Sequence, residues 1–180
     1  MKSIVAAMGV TLLLGATASG QDPTPRPNAP KFVKSVKAPG LQVRYLDFKW
    51  DEAAFTALDQ GGDHPAARRS WVIARLMVQS PVKWNGKTIP VGSALLVLNP
   101  ARGGTGPTLH VQYVDMREVF VDMNVIAEPP EGRIYGTVPA NFTKVDDVAP
   151  LLEVSLDDKG ATLELGVHYG NRRTGITLAR

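Results

Sequence analysis

Three histidines are the side chains with the widest chemical range in this chain, because imidazole can bind metals and transfer protons. His64 precedes a proline in a predicted loop, whereas His110 and His168 are expected on the polar faces of two separate strands. Zinc and iron sites need two or three converging imidazoles, often with a carboxylate, and neither H-x-H nor H-E-x-x-H occurs. A site would have to assemble from distant strands, with three candidate carboxylates: Asp63, Asp115 and Glu118. The pattern favours histidines that bind no metal and leaves open a metal-dependent or other hydrolase using His110 and His168.

The residue types give little support for nucleophilic catalysis or for catalysis by paired carboxylates. The 180 residues contain no cysteine, which excludes thiol catalysis, disulfides and cysteine-ligated zinc. No G-x-S-x-G motif is present. The paired carboxylates are interpreted as turn caps or exposed sheet positions: Asp146 with Asp147, Asp157 with Asp158, and Glu118 with Asp122. We therefore assign no catalytic residue and predict no cofactor.

Three side chains are candidates for binding a ligand. Trp84 stands beside the dipeptide Asn85-Gly86 and is expected to present an exposed ring on which a sugar could stack. Arg68 and Arg69 could hold a carboxylate or sulfate through paired hydrogen bonds. The alternatives are core packing for the aromatic ring and solvated loop charges for the arginines, as for the later pair Arg172-Arg173.

Most of these side chains are predicted to lie on β-strands. Apolar and polar residues alternate over 109–113 and 162–169, which is typical of strands with one buried face. The alternation predicts that Tyr113 and Tyr169 point into the core. Further strands are predicted at 41–50, 70–79, 91–98, 117–127, 151–156 and 174–179. Residues 93–99 lack alternation, so we expect that strand to be buried on both faces.

Turn and capping residues complete the prediction of the fold. Asn85-Gly86 is a strong hairpin signal, and residues 157–160 end in a glycine suited to a left-handed turn position. Asp51 can cap a short helix near 52–58, which Gly61-Gly62 can end. The predicted fold class is all-β: an antiparallel β-sandwich, or a jelly-roll-like variant, with that one helix.

The N-terminal region reads as a targeting segment followed by a tether. Residues 1–20 have the basic start, uncharged apolar stretch and small residues of a secretory signal peptide, with cleavage expected after Ala18 or Gly20. Residues 21–40 form a proline-rich tail, although its end could add a first strand through Phe32, Val33 and Val36. The single domain predicted for 41–180 carries 15 basic and 16 acidic residues, which disfavours nucleic-acid binding.

One stretch has a family resemblance. Residues 86–100, GKTIPVGSALLVLNP, resemble the strand pair G-K-x-[LI]-P-x-G-x-x-x-L of the secreted bacterial family called domain of unknown function 2911. Residues 68–78 and 151–170 are similar to that family's preceding strand and closing hairpin, whereas Ala94 stands where the family usually has an aromatic residue. The resemblance implies an exported all-β domain and carries over no functional residue.

Three hypotheses for function follow. The first is an exported, non-enzymatic β-sandwich domain, without a membrane span in its mature form, that binds a partner protein or glycan in the periplasm or outside the cell. The second is the hydrolase described above. The third is a structural component of the envelope, held by its proline-rich segment.

Overall fold

The computed structural model of the protein describes residues 32–47, 49–113 and 132–180. The predicted signal peptide, the strand expected at 117–127, and the carboxylates Asp115, Glu118 and Asp122 lie outside these residues. The described elements are β1 Phe32–Ala38, β2 Leu41–Leu46, α1 Glu52–Gln60, a 3-10 turn Pro65–Arg68, β3 Trp71–Val78, β4 Val82–Trp84, β5 Lys87–Ile89, β6 Gly92–Asn99, β7 Thr108–Tyr113, β8 Ile134–Pro139, β9 Thr143–Asp158 and β10 Thr162–Ala179. Within this part of the chain, no helix is long and apolar enough to cross a membrane.

The first sheet has six antiparallel strands in the order β1-β2-β3-β6-β7-β8. Strand β6 lies inside it, paired with β3 on one side and β7 on the other. All its residues from Ala94 to Leu98 are buried, which confirms the strand predicted to be buried on both faces. The sequence therefore specifies this strand through a continuous apolar run.

Strand β1 forms an edge of this sheet, although it falls within the predicted tail 21–40. It pairs with β2 from Phe32 opposite Leu46 to Ala38 opposite Leu41. Val36 and Ala38 also pack against the core. Residues 32–38 therefore belong to the sheet rather than to an extended tether.

The second sheet has four strands in the order β5-β4-β10-β9. Strand β10 bends at Gly170, where φ is 60°, and its two arms lie side by side. The amide of Arg180 donates to the carbonyl of Ala161 at 3.0 Å, and Gly175 lies against the backbone of Leu165. Leu163 to His168 on the first arm pair with β9, as do Arg172 and Arg173 just after the bend, whereas Ala179 at the end of the second arm pairs with β4. The strands predicted at 162–169 and 174–179 are the two arms of this one element.

The two sheets share one apolar core, and this confirms the predicted all-β sandwich. Side chains such as Val43 and Leu96 from the first sheet cluster with Val154 and Leu165 from the second. Tyr169 is buried as expected. Tyr113 is not: it is 42% exposed, because it is the last residue of β7 and follows a register shift at Val111 and Gln112.

Helix α1 and the tight turns form where the sequence predicts them. The carboxylate of Asp51 accepts a hydrogen bond from the Ala54 amide at 3.0 Å, and Gly61, with φ of 79°, ends the helix. Asn85 and Gly86 have φ values of 47° and 76°, which suit the mirror-image turn of a two-residue hairpin. These local signals are confirmed because each depends on neighbouring residues alone.

Candidate functional site

The three histidines lie in three different environments. His64 is exposed at the start of the 3-10 turn, where its Nδ1 atom accepts a hydrogen bond from the Ala66 amide at 3.1 Å. His110 lies on β7, and His168 lies on the first arm of β10. The described residues contain no group of three His, Cys, Asp or Glu side chains that could hold a metal ion.

His110 is part of a buried hydrogen-bond network, and the prediction that it lies on a wet face is wrong. It is 7% exposed, because the second face of the six-stranded sheet is buried as well. Its Nδ1 atom lies 2.7 Å from the Asn99 amide nitrogen, and its Nε2 atom lies 3.3 Å from Oε1 of Gln112. These partners assign a neutral ring with the proton on Nε2. Burial lowers the pKa of His110, although the hydrogen bond with Gln112 partly opposes that shift.

The lowered pKa of His110 predicts acid-dependent loss of stability. Because the folded state favours the neutral ring, the unfolded chain takes up the proton first, below about pH 6.5. The contribution of His110 to the free energy of unfolding should be constant above that pH. It should decrease by at most about 1.4 kcal/mol per pH unit as the pH falls below it. Urea denaturation at pH 7.5 and pH 5 measures this difference. His110→Gln, which keeps a polar side chain but cannot titrate, should show a smaller pH dependence; an unchanged dependence would contradict the assignment.

The three predicted ligand contacts do not form a site. Trp84 is 2% exposed within the core, so the expected exposed ring is a wrong prediction. Its side chain points inward because side chains alternate along β4, so that Val82 and Trp84 face the core and Lys83 between them is exposed. Arg68 is exposed and forms an ion pair with Asp63 at 2.8 Å. Arg69, its exposed neighbour, does not line the cleft described next.

A cleft of about 430 Å³, lined by both polar and apolar residues, lies where strands of both sheets meet. The six-stranded sheet contributes Lys34 from β1 and Tyr45 from β2. The other sheet contributes β9 and both arms of β10, with these polar side chains: Glu153, Ser155, His168, Arg173 and Thr174. This volume falls in the range of about 300–1,000 Å³ that is typical of small-molecule sites.

His168 is the most buried polar side chain of the cleft, with 7% of its surface exposed, and not a residue on a wet face as expected. Its Nε2 atom faces the backbone carbonyl of Asp147 at 3.3 Å, and its Nδ1 atom faces Nη2 of Arg173 at the same distance. Glu153 lies further from Nδ1, at 3.7 Å. Both ring nitrogens thus have partners. His168 is therefore better suited to holding its neighbours in place than to acting as a general base.

Two cationic side chains line the cleft together with this histidine. Arg173 donates to the carboxylate of Asp147 at 3.2 Å and stays about half exposed, so it is held in place and still accessible. The ammonium of Lys34 lies 6.0 Å from the centre of the Tyr45 ring. Among the described residues, Lys34 forms no ion pair with a carboxylate. The cleft therefore presents positive charge from both sheets, beside one carboxylate, Glu153, and the hydroxyls of Ser155 and Thr174.

The sequence contains the cleft residues but gives little indication that they meet. Lys34 lies within the predicted proline-rich tail 21–40, and Arg173 belongs to the pair Arg172-Arg173 that the sequence favours as solvated loop charges. The available signal is the alternation in 151–156 and 162–169, which puts Glu153, Ser155 and His168 away from the core. It does not reveal the bend at Gly170 that brings Arg173 back to His168.

Comparison with known proteins finds no match to this chain among family models, curated proteins or solved structures. The resemblance of residues 86–100 to the domain of unknown function 2911 therefore stays a prediction from those residues.

Proposed function

We propose that this protein is an exported β-sandwich domain that binds an acidic glycan in the cleft between its two sheets. The observation that carries the proposal is the placement of Lys34 and Arg173, from different sheets, in one cleft with buried His168. A sugar carboxylate would contact the two cations, and sugar hydroxyls would donate to Glu153 and exchange hydrogen bonds with Ser155 and Thr174. A binding role is preferred to hydrolysis because both nitrogens of His168, and both of His110, already face protein partners.

A glycan is preferred to a protein partner because the candidate contacts are concave and combine several hydrogen-bonding side chains with the ring of Tyr45. Protein interfaces are typically built around a central cluster of buried aromatic and apolar anchors. The exposed large apolar side chains of the described residues, Val91, Tyr113, Ile134 and Val148, do not line this cleft.

Export is the part of the proposal supported by the N-terminal pattern of residues 1–20. We expect the mature protein to begin at Ser19 or Gln21, after removal of the apolar segment. N-terminal sequencing of protein recovered from the periplasm or medium measures this. Recovery only from the cytoplasm, with Lys2 still present, would contradict export.

The cleft proposal predicts that binding depends on Lys34 and on the sugar carboxylate. The probe is a tetrasaccharide of alternating glucuronate and N-acetylglucosamine, compared with its carboxyl-reduced form by isothermal titration calorimetry. Lys34→Gln should weaken binding of the acidic form at least tenfold, because it removes one charge-assisted contact worth roughly 1.5–3 kcal/mol. Arg173→Gln should do the same, and added salt should weaken binding further.

Lys87→Gln is the matched control, because Lys87 is an exposed lysine on β5 that does not line the cleft. It should leave the dissociation constant unchanged. Equal binding of the acidic and carboxyl-reduced sugars, or equal effects of the two lysine substitutions, would rule out this cleft as an acidic-glycan site.

A further inference from the structure

The cleft does not end at Ser155 and Gly166. These two residues also line a second depression of about 170 Å³, which continues along β9 and the two arms of β10. We propose that the cleft and the depression form one groove for a linear oligosaccharide, with an acidic sugar in the cleft and a neutral sugar in the depression. This inference rests on the proposed function and specifies the order of sugars that the site selects.

Glycines keep the floor of the groove free of side chains. An added Cβ atom at Gly166 would lie 2.5 Å from Oγ of Ser155, and one at Gly175 would lie 2.9 Å from the carbonyl oxygen of Leu165. Side chains at these positions would crowd β9 and the arms of β10, which meet here. The bare backbone lets a flat ligand lie across the junction between the cleft and the depression.

The two parts of the groove differ in charge, because the cleft has two cations, Lys34 and Arg173, beside the single carboxylate of Glu153, whereas the depression has two carboxylates. Asp157 on β9 and Glu164 on β10 are register partners and line the depression, together with the hydroxyl of Thr177. None of the described residues that line it is basic. Like charges directly opposite each other weaken a sheet, so folding alone does not account for this pair. Two carboxylates accept hydrogen bonds from the hydroxyls of a neutral sugar and repel an acidic one.

The experiment compares three acidic ligands on the same protein, residues 21–180, by calorimetry. They are glucuronate, tetragalacturonate, and the tetrasaccharide of alternating glucuronate and N-acetylglucosamine. We expect the alternating tetrasaccharide to bind at least tenfold more tightly than either of the others. Glucuronate fills only the cleft, and tetragalacturonate places a carboxylate against Asp157 and Glu164.

The double variant Asp157→Asn, Glu164→Gln should bind tetragalacturonate several-fold more tightly and lose its preference for the alternating sugar. Asp146→Asn, at an exposed position of β9 outside the groove, is the control and should change neither affinity. Equal affinity of the wild type for the two tetrasaccharides, still lowered by Lys34→Gln, would overturn the two-part groove and leave the proposed function standing. Absence of any binding that depends on Lys34 would overturn both.

Discussion

A Gly170→Ala variant is expected to lose about 2–5 kcal/mol of the free energy of unfolding. Gly170 has a φ of 60°, a left-handed conformation that costs other residues roughly 1–2 kcal/mol. The added methyl group would also overlap the indole ring of Trp50, and forcing extra atoms into a packed region typically costs about 1–3 kcal/mol. Trp50 cannot move aside freely, because its ring contacts Tyr169 and Phe55. Urea or thermal denaturation measures the loss.

Gly103→Ala separates backbone strain from the overlap with Trp50. Gly103 has nearly the same φ, 59°, but no heavy atom lies within 4 Å of the position a Cβ would take. Its substitution should therefore show the conformational cost alone. If the two variants lose equal stability, the contact between β10 and Trp50 does not constrain the bend, and our account of this region is wrong.

The bend matters for the proposed function because residues on both sides of it line the cleft. Leu163 to His168 pair with β9, as do Arg172 and Arg173 after the bend at Gly170, and the guanidinium of Arg173 lies against His168. A variant that opens this bend should lose ligand binding together with stability. Gly103→Ala, which leaves the bend intact, should retain binding at the same ligand concentrations.

Local patterns were sufficient to predict the fold class. The continuous apolar run of β6, the alternation in β7 and β10, the cap at Asp51 and the Asn85-Gly86 turn each depend on residues close in sequence. Such signals identify elements and their core-facing sides. They do not tell whether the opposite face of a strand meets water, which is why the burial of His110 and His168 was not predicted.

The candidate site was less predictable because its residues are far apart in the chain. Lys34 belongs to an edge strand that begins inside a proline-rich segment, whereas His168 and Arg173 lie near the C-terminus. Their approach depends on β1 and β2 packing near β9 and on the reversal of β10, and neither arrangement leaves a short-range pattern. The basic pair Arg68-Arg69 is a clearer candidate in the sequence, but it lies on the surface, where Arg68 forms an ion pair with Asp63.

Trp84→Ala is expected to destabilise the protein by about 3–5 kcal/mol, the usual cost of replacing a buried tryptophan with alanine. Trp84 is among the largest fully buried side chains, and it lies on a strand of only three residues. Its removal leaves a cavity that the short β4–β5 hairpin cannot fill. For a domain with a typical stability of about 5–15 kcal/mol, this loss is a large share and should be plain in urea denaturation.

A conservative substitution distinguishes this core role from the sugar-stacking role that the sequence suggested. Trp84→Phe keeps much of the buried apolar surface, so it should retain most of the stability and bind the acidic tetrasaccharide with unchanged affinity, because Trp84 does not line the cleft. Val91→Ala, at an exposed position after the same hairpin, should change stability by less than about 0.5 kcal/mol. A stable Trp84→Phe protein that no longer binds would instead place the ring in the binding site. Retained binding assigns Trp84 to the core that supports the second sheet, on which most of the cleft residues lie.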